Sequence, residues 1–226
     1  QDMIGHGTHV AGIIAGKQNG ANTYNGVAPD AQVLNVKVLD NTGFGAESWI
    51  ISGINYALNP DGNSATNDGA NVLNLSLGGP YTDPNSPVVA AVEDAIASGA
   101  VVVIASGNCG PGCPDPNCQG FIGVETPGDA ANAITVGAVD DFSNAACFSS
   151  GGISNKQPTP DVVAPGVNIV SSYLNNSTTV LSGTSMNICH NKDELIFYLE
   201  EISQISQEYP VTVSKFIEDA KEIELD

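Results

Sequence analysis

Three short segments, far apart in the chain, carry the side chains that acyl transfer requires. In Gly5-His6-Gly7-Thr8-His9-Val10-Ala11-Gly12 a histidine opens a run of small residues that reads as a helix, and its flanking glycines let substrate and neighbouring backbone come close. His6 so placed suits a general base. Ala105-Ser106-Gly107-Asn108 leaves a strongly hydrophobic stretch, which puts the Asn108 amide where it can donate to an oxyanion. Gly183-Thr184-Ser185-Met186 sets a serine at the start of a helix, where free N–H groups and the helix dipole favour developing negative charge. Ser185 is the candidate nucleophile. Taken singly, each motif has a plainer reading: His-x-x-His is also the spacing of a metal site or of two core histidines, and Gly-Thr-Ser is an ordinary turn.

These side chains need a scaffold, and the chain alternates between two kinds of segment. Gln32 to Leu39, Asn71 to Leu77, Ala100 to Ala105 and Ala133 to Val139 are rich in β-branched residues and read as strands. Val101, Val102, Val103 and Ile104 are continuously apolar, as in a strand covered on both faces. Ala46 to Leu58 and Pro87 to Ser98 have helical periodicity, and Gly99 terminates the second. The alternation predicts an α/β domain with a mostly parallel sheet and a site at the carboxyl ends of its strands.

In this order, and with Asn74-Leu75-Ser76-Leu77-Gly78-Gly79 between them, the three segments resemble the subtilisin-like serine peptidases, the subtilase family. The resemblance also takes in Gly26-Val27-Ala28-Pro29, Val36-Lys37-Val38-Leu39, Ser48-Trp49-Ile50-Ile51, Val136-Gly137-Ala138-Val139, Phe148-Ser149-Ser150 and Ala164-Pro165-Gly166, and it runs from Gln1 to Met186. It implies a three-layer fold, His6 as base, Ser185 as nucleophile, Asn108 in the oxyanion hole and His9 as a structural histidine. It further implies that an extended polypeptide pairs between Gly43-Phe44-Gly45 and Ser76-Leu77-Gly78. Ser76-Leu77-Gly78 and Ala105-Ser106-Gly107 would wall the S1 pocket, with Glu125 at its base favouring a basic P1 residue. No cofactor is required. Structural calcium is common in the family, and Gln18-Asn19-Gly20-Ala21-Asn22 falls at one such loop, though without a carboxylate of its own.

Two departures from the family pattern qualify this. The family's triad acid lies on a strand ahead of the histidine, inside the sheet, in a stretch this chain does not contain; exposed strand edges and a rate lowered by orders of magnitude are the expected consequences. Asp2, four residues before His6, matches a family aspartate that is not the triad acid. After Met186 the family pattern stops. All 25 glycines lie at or before Gly183, and residues 187–226 hold ten acids against three lysines. Leu195, Tyr198 or Leu199, Ile202 and Ile205, then Phe216, Ile217, Ala220 and Ile223, recur at helical spacing there. The expected organisation is a partial peptidase domain over 1–186, lacking its N-terminal strand, and an acidic helical tail of unmatched origin over 187–226.

Composition narrows the alternatives. The chain has 226 residues, six basic groups (all lysine) against 25 acidic ones, and a formal net charge of −19. A basic nucleic-acid-binding face is excluded, and no apolar run reaches the roughly 20 residues that span a bilayer. Of five cysteines, Cys109, Cys113 and Cys118 crowd one Pro/Gly loop, where a disulfide of an exported protein, free thiols or part of a metal site are all consistent with the spacing. The chain opens at Gln1, so an export signal can be neither read nor dismissed; the family resemblance implies an extracellular or cell-surface setting. The leading reading is a serine endopeptidase acting through a seryl acyl-enzyme, with impaired activity. Its rivals are an inactive fragment or pseudoenzyme serving as a peptide-binding module, and, more remotely, a metal hydrolase on His6, His9 and His190.

Overall fold

The computed structural model describes residues 2–18, 24–113, 115–152 and 159–184, together with the backbone of 221–225. In chain order the elements are α1 (His6–Ala15), β1 (Gln32–Val36), α2 (Glu47–Leu58), β2 (Val72–Leu75), α3 (Pro87–Ala97), β3 (Val101–Ala105), β4 (Ile134–Val139), β5 (Val162–Pro165), β6 (Ile169–Tyr173), β7 (Ser177–Leu181) and β8 (Lys221–Leu225). Six of the strands form one parallel sheet in the order β1-β8-β2-β3-β4-β5, and β6 and β7 form a separate antiparallel hairpin.

The expected strands and helices of the body are present within a few residues of their predicted bounds. Local chemistry explains the ends of α3: the Ser86 hydroxyl accepts from Val88 N–H at 3.2 Å, Pro87 occupies the first turn, and Gly99 follows at φ +102°. Between the sheet and α2 and α3 lies the main core, in which Ile54, Leu73, Leu75, Val92 and Ile104 are all fully buried. Each such side chain contributes about 1.5–3 kcal/mol by leaving water. Helix α1 packs on the hairpin, with Val10 and Ile14 against Ile169 and Leu181 in a second, smaller cluster.

The tail departs from expectation where it is described. Residues 221–225, read from the sequence as the end of an amphipathic helix, are a strand in the interior of the sheet, paired in parallel with β1 on one side and β2 on the other. Ile223 stands in register with Leu34 and Leu73, and Leu225 with Val36 and Leu75. The facing edges of β1 and β2, expected to be open for want of a strand, are therefore paired. A five-residue segment with alternating character follows whichever pairing tertiary structure offers, because propensity is a weak preference. Residues 187–220, with the other helical expectations, lie outside the described residues.

Candidate active site

Asp2, not His6, begins the local structure around α1. Its carboxylate accepts from the N–H groups of Ile4 (3.0 Å), Gly5 (2.7 Å) and Thr8 (2.9 Å) and from the Thr8 hydroxyl (2.7 Å), so both oxygens serve the first turn of the helix. Burial alone would raise the Asp2 pKa, but the Thr8 hydroxyl and the three N–H groups outweigh it and lower the value to about 2. Gly5 precedes the helix at φ 89°, a left-handed conformation, and a Cβ there would strike the Tyr173 ring. The Tyr173 hydroxyl donates to Ile4 O at 2.6 Å. His6 is thereby held, half-buried, as the first residue of α1.

One turn on, His9 is fully buried; its Nε2 donates to Ile169 O across 3.1 Å, and its backbone O accepts from the Ser171 hydroxyl at 2.8 Å. Burial lowers its pKa below the usual histidine value, so it is a neutral ring pinning α1 to the hairpin.

Asn108 sits just past the carboxyl end of β3. Its Oδ1 accepts from Thr184 N–H at 3.0 Å and lies 3.3 Å from the Thr184 hydroxyl. With the oxygen of the amide taken, Nδ2 is the atom left to donate elsewhere, the orientation an oxyanion donor needs. Gly107 N–H donates to the same Thr184 hydroxyl at 3.2 Å, from a residue at φ +104°. Ser150 locks the turn: its O accepts from the Ser106 hydroxyl at 2.9 Å and its hydroxyl from Cys109 N–H at 2.8 Å. Gly183 N–H bonds Gly166 O at 2.9 Å. Two segments 76 residues apart, 105–109 and 183–184, thus meet at Asn108 and Thr184. Ser185 follows directly in sequence and itself lies outside the described residues.

Beside this junction the chain leaves β2 through Ser76-Leu77-Gly78, and Gly79 N–H bonds Thr126 O at 2.9 Å. Glu125 N–H bonds Ser106 O at 3.0 Å, which places Glu125 between the ends of β2 and β3. Its carboxylate accepts from Asn108 N–H at 2.6 Å. Gly43-Phe44-Gly45 is a loop ahead of α2, tied by Asp40, whose carboxylate accepts from Thr42 and Phe44 N–H groups at 2.7 and 3.1 Å. Phe44 is 68% exposed there.

The cysteines pair as Cys109–Cys118 and Cys113–Cys147, joining the loop after Asn108 to itself and to the segment after β4. Among the described residues, the group close enough to hold a metal is Cys109, Cys118 and Glu125, and its two sulfurs are already bonded to each other. His190 and most of the candidate calcium loop, residues 19–22, lie outside the described residues. Thr184 as the residue that orients Asn108 was not singled out from the sequence. Neither was the role of Asp2 as a helix cap; the Asp-x-x-Gly spacing before a small-residue helix was its signal.

The carboxyl edge of the parallel sheet thus gathers the Asn108 amide, Gly183-Thr184 and the chain leaving β2 through Ser76-Leu77-Gly78. Comparison makes the assignment specific: the profile of the subtilase family matches residues 1–187. The chain is 42% identical over 185 residues to subtilisin DY of Bacillus licheniformis, covering 82% of this chain and 60% of that one. It is 41% identical over 190 residues to subtilisin Savinase of Lederbergia lenta, covering 84% and 61% respectively. A crystal structure of a cold adapted subtilisin-like serine proteinase superposes with a TM-score of 0.65 at 31% identity, over 89% of this chain and 63% of that one. The chain belongs to the subtilase family. It spans about three fifths of the length of these relatives.

Proposed function

We propose that the protein is a serine endopeptidase in which Ser185 attacks the scissile carbonyl, His6 takes and returns the proton, and Asn108 Nδ2 with the Ser185 N–H receives the oxyanion. The carbonyl carbon becomes tetrahedral, the amine leaves with the proton from His6, and water then cleaves the acyl ester by the same route. The substrate lies extended between Gly43-Phe44-Gly45 and Ser76-Leu77-Gly78. The observation that carries this reading is the pair of contacts from Thr184 to Asn108 Oδ1, which fixes the donor face of the amide next to the segment leading into Ser185. Export to an oxidising compartment is part of the proposal, supported by the two disulfides.

The test is labelling of the full chain by a fluorophosphonate, which requires an assembled base and oxyanion site. Labelling mapped to Ser185 and lost in Ser185→Ala and His6→Ala is expected. In Asn108→Leu it should slow with little change in saturation, since the amide acts mainly on the transition state. Loss of one such donor costs on the order of 10² to 10³ in kcat, a figure that itself comes from a subtilisin. Absence of labelling in a folded chain that still binds peptide would identify a peptide-binding module instead.

A further inference from the structure

Helix α1 packs against β1 and β8, and its direction follows from what its two ends touch. At its carboxyl end Ile13 O and Ile14 O accept from Val27 N–H at 2.9 Å and Ala28 N–H at 2.8 Å, in the segment that leads into β1. Just ahead of its first turn, Ile4 Cδ1 would lie 3.4 Å from a Cβ on Gly43, in the loop that follows β1. The helix therefore runs antiparallel to β1, and to β8, since those two strands are parallel. His6, the first residue of α1, is at the carboxyl edge of the sheet, where β8 also finishes.

Register gives the face as well as the edge. Leu34, Val36, Leu73 and Leu75 belong to or pack against the core that α2 and α3 cover, and Ile223 and Leu225 are aligned with them. Successive residues of a strand alternate between faces, so the position after Leu225 belongs to the opposite one. That face is the one on which α1 packs, its Val10 and Ile14 forming a cluster apart from the main core. Because Leu225 is aligned with Leu75, one more step of the ladder is Asp226 beside Ser76, whose hydroxyl accepts from the Asn74 amide at 2.8 Å.

We infer that the acid positioning His6 comes from the tail: the β8 ladder continues by one residue, and the Asp226 carboxylate accepts from the ring Nδ1–H of His6. Asp226 lies beyond residues 1–187, the stretch that the family profile matches. Nε2 is then the nitrogen that takes the proton from Ser185 Oγ, and Asp226 stays ionised while it steadies the imidazolium that forms. Asp2, nearer in sequence, already spends both carboxylate oxygens on the first turn of α1. The inference rests on the peptidase reading for the reaction, and on sheet order and register for the place of the acid.

Two measurements on the full chain separate the inference from its basis. The first is proton resonance of the chain with isotope-labelled histidine, which requires no turnover. A ring N–H held by a carboxylate is shielded from exchange with water and resonates far downfield. Wild type should show such a proton; it should vanish in His6→Ala and Asp226→Ala and persist in Glu224→Gln, one pleat back on the same face. The second is the rate of fluorophosphonate labelling, which Asp226→Asn should lower by on the order of 10⁴ with little change in saturation, a figure that itself comes from serine peptidases. Near-ultraviolet circular dichroism on each variant excludes a folding defect as the cause. A wild type without the downfield proton, or a proton that persists in Asp226→Ala, overturns the inference whether or not Ser185 is labelled. So does a proton that vanishes in Glu224→Gln instead. Labelling that ignores Asp226→Asn keeps the peptidase reading and overturns the inference. A proton that depends on Asp226 in a chain that no fluorophosphonate labels upholds the pairing of Asp226 with His6 and removes the peptidase reading.

Discussion

At the residue scale, the side chain with the most to do per atom is Asp2. Its ordinary pKa of 3.8 falls to about 2 in the fold, so the ionised form is favoured by folding; the stabilisation is complete above about pH 4 and disappears as the pH drops from 3.8 towards 2. Because the group is only part-buried, solvent screens much of this, and the scale is that of a helix cap, about 1 kcal/mol. Denaturant unfolding of wild type and Asp2→Ala at several pH values should show that gap at pH 7 and its closure near pH 2. Asp2→Asn should recover part of it, since the amide oxygen still accepts. A gap that persists unchanged at pH 2 would remove the carboxylate from the account.

At the scale of elements, β8 carries the sharpest expectation. An interior strand paired on both sides cannot give up a ladder donor, so Ile223→Pro should destabilise the protein by about 2–4 kcal/mol, measured as a shift in the guanidinium midpoint. An unchanged midpoint would mean that the sheet does not rely on this strand. The body's elements were legible in the sequence because β-branched runs such as Val101 to Ile104 and capped periods such as Ser86 to Gly99 carry their structure locally. β8 was not, since Lys221-Glu222-Ile223-Glu224-Leu225 has too few apolar residues to distinguish two periods, and its identity comes from partners at residues 32–36 and 72–75. The same division runs through the site. His6 stands out between Gly5 and Gly7, and Asn108 at the end of a strongly hydrophobic stretch, whereas the contacts of Thr184 with Asn108, of Glu125 with Asn108 and of Cys113 with Cys147 join residues apart in sequence.

For the whole molecule, the governing quantity is a net charge of −19 carried by a chain without arginine. Its summed field draws cationic peptides and repels anionic ones beyond the reach of any single contact, and salt screens it with a Debye length of about 10 Å at 0.1 M. Raising ionic strength from 10 to 300 mM should therefore lower kcat/KM several-fold for a peptide with basic residues distant from the cleaved bond, and leave a neutral peptide nearly unaffected. Equal salt dependence for both would refer the effect to the site alone. The insertion of β8 between β1 and β2 also governs how the molecule comes to be. Gln32 finds its neighbour in Lys221, so the place between β1 and β2 waits on residues that leave the ribosome after every other described strand. During that interval β1 and β2 face each other across an unfilled gap with open hydrogen-bonding edges, and any extended segment at hand can compete for it. Yield on synthesis then depends on how quickly β8 arrives as well as on how stable the finished protein is.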